Sequence, residues 1–155
     1  MDFTLITLPH EFEPLAAGWN SLLSQSISDT PFLRHEYLRS WWETRGGGEW
    51  PQAGLAVVTA QTNGSLVGAA PLFFASHDSA PALLLLGSIE ISDFLDLLAR
   101  PTDLAPFLHG LLDFLSAPGF PLAWKALDLY NIPENSPSLT ALQAEAAARG
   151  WNFTR

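Results

Sequence analysis

The sequence predicts an α/β (α+β) layer fold, a mixed β-sheet with helices packed on it. Three observations carry this. Asn63-Gly64 separates two β-rich runs, and several stretches repeat apolar residues at helical spacing. Short apolar runs also alternate with those helices, so hairpins and helical crossovers occur together. The 155 residues are 48% hydrophobic and only 15% charged, a composition that suits one compact domain, 1–155, with a sizeable core.

Phe3 to Leu8 reads as a first strand ended by Pro9. From Glu11, the residues Phe12, Leu15, Ala16, Trp19, Leu22 and Leu23 share one face of a helix. A polar loop from Ser26 to Thr30 leads to a second helix. There Tyr37, Leu38, Trp41 and Trp42 face one way, Arg34, Glu36 and Arg39 the other, and Gly46-Gly47-Gly48 stops it.

Ala53–Thr62 and Ser65–Ser76 form a hairpin around Asn63-Gly64, because a type I′ turn needs positive φ at both central residues. Pro71 in the second arm implies a bulge or a missing amide. Ala82–Leu86 and Leu95–Leu98 read as buried strands. Thr102 is placed to cap a helix carrying the stripe Leu104, Phe107, Leu108, Leu111, Leu112 and Leu115. Trp124–Tyr130 gives a further strand, Ser136-Pro137 starts a last helix that closes at Gly150, and Trp151–Arg155 begins another strand.

A formal net charge of −9 argues against binding nucleic acid or an anionic membrane, both of which need basic patches. It also makes a polyphosphate cofactor an awkward ligand. No cysteine is present, which excludes thiolate nucleophiles and thiolate metal sites. Met1-Asp2-Phe3-Thr4 lacks the basic and apolar regions of a signal peptide, so a cytoplasmic protein without membrane insertion is expected.

Several motifs fail on chemistry. His35-Glu36-Tyr37-Leu38-Arg39 starts like a zinc-protease helix but carries arginine where the second ligand belongs. His10, His35, His77 and His109 are dispersed, with no ligand spacing, and read as surface or capping residues; no metal is expected. Gly64-Ser65 and Gly87-Ser88 lack the preceding glycine of a nucleophile elbow. Gly46-Gly47-Gly48 lacks the tail of a phosphate loop and follows a helix.

The best functional lead is the interruption Ser88–Phe94 between Leu83–Leu86 and Leu95–Leu98. It offers Glu90, Ser92 and Asp93, with Asp96 just beyond. Carboxylates set among core residues are costly to bury unless hydrogen-bonded or open to a cleft. They read as groups that bind and orient an amine acceptor, with Asp93 the candidate general base; loop hydrogen bonding is the alternative. Asn131, Glu134 and Ser136 lie at a strand end, where open α/β sheets often hold ligands, and turn and cap chemistry would also account for them.

The series Pro31-Phe32-Leu33 to Trp41-Trp42, Leu66–Leu72, Leu86-Gly87, Ser92–Leu97 and Leu129 to Ser136-Pro137 resembles the N-terminal half of FemAB/CelD-like acyltransferases. These are bacterial proteins with two GNAT-superfamily domains in tandem. The resemblance implies a GNAT-like N-terminal domain that shapes the acceptor cleft for acyl transfer to an amine, borne by a small molecule, glycan or peptide. It also implies a C-terminal GNAT domain or second protomer that holds acyl-CoA or another acyl donor, with no cofactor bound by this half. Neither Arg45–Trp50 nor Gln61–Leu66 completes the family's pyrophosphate loop. A second expectation, from six tryptophans, is a non-catalytic binding or assembly module with a Trp-rich surface.

Overall fold

The computed structural model describes all 155 residues and has a mixed α+β architecture. The elements in order are β1 (Asp2–Ile6), α1 (Pro9–Phe12), α2 (Ala16–Leu23), α3 (His35–Thr44), β2 (Gly54–Leu55), β3 (Val57–Thr62), β4 (Ser65–Ala70), β5 (Leu72–His77), β6 (Ala80–Leu85), β7 (Leu98–Ala99), α4 (Leu104–Ser116), β8 (Ala126–Asp128) and α5 (Pro137–Arg149). They build two four-stranded sheets, β1-β3-β4-β7 and β2-β5-β6-β8. All pairs are antiparallel except β6 with β8.

The Asn63-Gly64 hairpin joins the two sheets. Its turn residues have φ of 52° and 76°, as the type I′ geometry requires. Each arm leaves one sheet for the other part-way along, at Ala56 and at Pro71. Pro71 has no N–H to give to a ladder, so the pairing breaks there. The Ala56 amide donates to Leu72 O at 3.1 Å and the Leu86 amide to Pro71 O at 2.7 Å, closing the corner.

Helix α4 is the apolar stripe foreseen from its spacing, with Leu104, Phe107, Leu108, Leu111, Leu112 and Leu115 all buried. It packs on the first sheet, where Phe3 stacks between Phe107 and Phe114 at 6.1 and 5.8 Å. Helix α5 starts as expected: Ser136 Oγ accepts from the Ser138 amide, Pro137 occupies the first turn, and the left-handed Gly150 ends it. Helix α3 lies against the second sheet through Trp41 and Phe73, 5.2 Å apart.

Four local expectations are corrected. The helix expected from Glu11 is split into α1, a 3-10 turn over Glu13–Leu15, and α2, because Pro14 cannot sit inside a continuous helix. Phe12, Trp19, Leu22 and Leu23 are nevertheless buried. The strand over Leu95–Leu98 shrinks to Leu98–Ala99. Asp103, not Thr102, occupies the N-cap position of α4, without a capping side-chain bond; its carboxylate instead accepts from Arg100. Trp151–Arg155 adopts no regular structure.

The six tryptophans divide between core and surface, with Trp50, Trp124 and Trp151 partly exposed. Trp19, Trp41 and Trp42 are buried, where large aromatic rings remove the most apolar area from water. His35, expected at the surface, is a core residue. Its Nε2–H donates to Phe12 O at 2.9 Å and its ring lies 4.3 Å from that of Phe12.

Candidate functional site

The polar interruption between Leu86 and Leu98 has a physical origin in the Pro71 corner. The strand β6 pairs with β5 and the strand β7 pairs with β4, so the chain from Ala80 to Ala99 follows one edge of the hairpin arm. At the corner no ladder is available, and the chain leaves the sheets as a loop. Its backbone carbonyls then need other partners.

Three residues supply those partners, and a fourth braces a loop side chain. Trp50 Nε1–H donates to Ser88 O at 3.0 Å. Asn131 Nδ2 donates to Ile89 O at 2.9 Å and to Ser92 O at 2.8 Å, and Asn131 O accepts from the Leu95 amide at 2.9 Å. Tyr37 Oη and Ser92 Oγ are hydrogen-bonded at 2.6 Å. Thr30 Oγ1 donates to Phe94 O at 3.0 Å. Asn131 adopts φ 64°, a left-handed conformation that asparagine tolerates better than most residues.

This bracing turns the side chains of the loop in two directions. Ser92 points inward and is buried, whereas Glu90 and Asp93 are exposed. Ile91 and Phe94 are 54% and 58% exposed. The outer rim thus alternates carboxylates with large apolar side chains, a surface that favours a cation attached to an apolar body.

Asp96 belongs elsewhere. It is fully buried, and its carboxylate accepts four hydrogen bonds. Ser28 Oγ and Ser136 Oγ donate to Oδ2 at 2.7 and 2.6 Å, while Ser138 Oγ and the Leu97 amide donate to Oδ1 at 2.6 and 2.8 Å. Charge-assisted bonds of this kind offset the desolvation of a buried carboxylate. The knot ties the loop to the start of α5 and to the segment before α3. Asp96 and Ser136, both proposed from sequence to face an acceptor, here hold the frame behind the loop.

On the other side of Asn131 lies an open groove of about 1260 Å³. It runs along β8, which pairs on one side only, and between α4 and α5. Leu115, Trp124, Leu127 and Trp151 supply much of its apolar wall, and Asp128, Tyr130, Asn131 and Glu134 its polar end. Trp124 and Trp151 meet edge to face at 5.9 Å. The structure thus places Asn131 and Glu134 in the groove lining and ties Asn131 to the backbone of the loop that carries Glu90, Ser92 and Asp93, while Asp96 and Ser136 are set apart.

One group escaped sequence reasoning. His77, at the end of β5, is hydrogen-bonded through Nδ1 to Asp128 Oδ2 of β8 at 2.9 Å. The two residues are 51 positions apart, and nothing in their local sequence announces the pair. Tyr130 meets the imidazole edge to face at 5.4 Å. Desolvation, then the carboxylates of Asp128 and Asp78, push the Tyr130 phenol upward, so it stays protonated at neutral pH.

The glycine run Gly46–Gly48 follows the C-terminal end of α3, and its three residues have positive φ. Backbone carbonyls rather than amides are exposed at that end of a helix, which opposes a phosphate. Gln61–Leu66 is taken up by the β3–β4 hairpin. No group of three or more histidine and carboxylate side chains is arranged to hold a metal ion, and no helix is long and apolar enough to cross a membrane.

Comparison with protein-family models, curated proteins and solved structures found no match to this chain. Its own geometry therefore carries the functional argument.

Proposed function

We propose that the chain is the acceptor-side domain of an N-acyltransferase, with the acyl donor held by a second domain or protomer. One observation carries this reading: Asn131 both lines the groove and braces the loop. The carbonyls it holds, Ile89 O and Ser92 O, adjoin the exposed Glu90 and Asp93, and Glu134 lines the same groove as Asn131. An amine attached to a carbon skeleton matches that surface, its ammonium to the carboxylates and its body to the groove. The carbonyl-rich end of α3 and the net charge of −9 both disfavour a polyphosphate donor on this domain.

Chemical-shift perturbation in the full chain tests the proposal. Spermidine, glucosamine and a lysine peptide serve as amine probes, with acetyl-CoA as donor probe. At least one amine is expected to shift the amides of Glu90, Asp93, Asn131 and Glu134 saturably, and Glu90→Gln with Asp93→Asn to weaken it several-fold. No shift at these positions with any amine defeats the acceptor reading. Saturable acetyl-CoA binding by the chain alone defeats the division between domains.

A further inference from the structure

We propose that His77 is a general base for an amine acceptor and that Asp128 is its positioning residue. The inference rests on the acceptor reading above and adds to it the group that handles the proton.

Four features of His77 support the role. An ionised carboxylate can only accept a hydrogen bond, so the 2.9 Å contact with Asp128 Oδ2 places the imidazole proton on Nδ1. In that tautomer the lone pair lies on Nε2, for which the chain supplies no hydrogen-bond partner. The side chain is 14% exposed. Trp50 lies 5.9 Å from it and Tyr130 5.4 Å, which limits the orientations the ring can adopt.

The same two neighbours connect His77 with the candidate site. Trp50 donates to Ser88 O at the base of the loop, and Tyr130 immediately precedes Asn131. Asp128 and Tyr130 also line the groove. The charged side chains facing the imidazole are Asp128 and, at 3.9 Å, Asp78; both are acidic and would draw an ammonium toward it. The other histidines lack this combination. His35 spends Nε2 on Phe12 O, His109 is engaged by Asp113 and Glu145 through its two nitrogens, and His10 lies exposed on α1.

The chemistry is a proton transfer followed by acyl transfer from a thioester. An amine at neutral pH is largely an ammonium ion and has no lone pair for attack. His77 Nε2 takes one proton, and the freed nitrogen attacks the thioester carbonyl carbon. The C–N bond forms, the C–S bond breaks, and the electron pair leaves on sulfur. Of the two protons the ammonium gives up in becoming an amide, one is returned to the thiolate and the other passes to solvent. Asp128 holds the Nδ1–H tautomer and stabilises the transient imidazolium.

The test uses the full chain with S-acetyl-N-acetylcysteamine, a thioester without a nucleotide, and the amine that gives the strongest chemical-shift response. Amide formation is followed against pH, and the His77 tautomer by nitrogen-15 NMR. Amide formation above the uncatalysed rate is expected, with an acid limb that His77→Gln abolishes and a loss of roughly 10²-fold or more in that variant. Asp128→Asn is expected to shift the imidazole toward the Nε2–H tautomer and to lower the rate at saturating amine by more than it weakens amine binding. A variant that unfolds is replaced by His77→Asn, judged by the same pH profile in folded protein.

Amine binding at the loop with no amide formed, or with formation unchanged in folded His77 variants, overturns the role of His77 and leaves the acceptor reading standing. An Nε2–H tautomer in the wild-type protein overturns the role of Asp128. Absence of amine binding removes both readings together.

Discussion

Replacing Asp96 by alanine would remove the acceptor of four hydrogen bonds from a largely buried site. Ser28 is half-buried and can turn its hydroxyl toward solvent, but Ser136 and Ser138 are buried with Asp96. The Leu97 amide also loses its acceptor. Three donors are thus left without a partner, and each unsatisfied buried group costs about 1–3 kcal/mol. Hydroxyl rotation recovers part of this, so a loss of about 3–6 kcal/mol is expected. Against a typical domain stability of about 5–15 kcal/mol, the variant should be at or near the edge of folding. Urea denaturation at pH 7 measures the change directly. Adding Ser138→Ala to Asp96→Ala removes one orphaned hydroxyl and should restore about 1–2 kcal/mol, since deleting both partners costs less than deleting one. A loss below about 1 kcal/mol for Asp96→Ala would refute the claim that this carboxylate holds the loop to α5.

Two further perturbations probe the frame. A Cβ added at Gly68 would lie 2.3 Å from Phe107 Cδ2, inside a ring with no exposure; Gly68→Ala should cost about 1–3 kcal/mol by overpacking, read as a drop of about 2–4 °C in Tm per kcal/mol. Between α4 and α5, Arg149 pairs with Glu145 and Asp113. Desolvation raises the Glu145 carboxyl, but Arg149 and His109 outweigh it and leave it below its usual value of 4.5. A carboxyl lowered in the folded state contributes stability above its unfolded pKa, and that contribution fades as pH falls through the lower folded value. Arg149→Met should therefore narrow the difference in urea midpoint between pH 6 and pH 3.5, and an unchanged difference would count against the pairing.

Local features were legible because their causes are local. Asn63-Gly64 can turn only one way, the six apolar positions of α4 repeat at helical spacing, and Ser136-Pro137 begins a helix through its own side chain and ring. Pro14 is equally local in its effect: a periodic apolar face can be shared by consecutive short helices that no single helix spans. The expected strand over Leu95–Leu98 failed for a different reason. Apolar character at those positions reflects burial, but the edge that a strand there would pair with is interrupted at Pro71.

The candidate site divides along the same line. The sequence alone determined that a polar break falls inside an apolar run at Ser88–Phe94, and that Asn131 to Ser136 forms a turn and helix start. Only the tertiary structure decided that Asp96 faces inward while Glu90 and Asp93 face out, and that Asn131 clasps the loop from 39 and 42 residues away. It alone also brought His77 to Asp128. Turns and helix faces are fixed by φ preferences and periodicity within a few residues, whereas burial and side-chain pairing depend on which distant segments the sheets bring together.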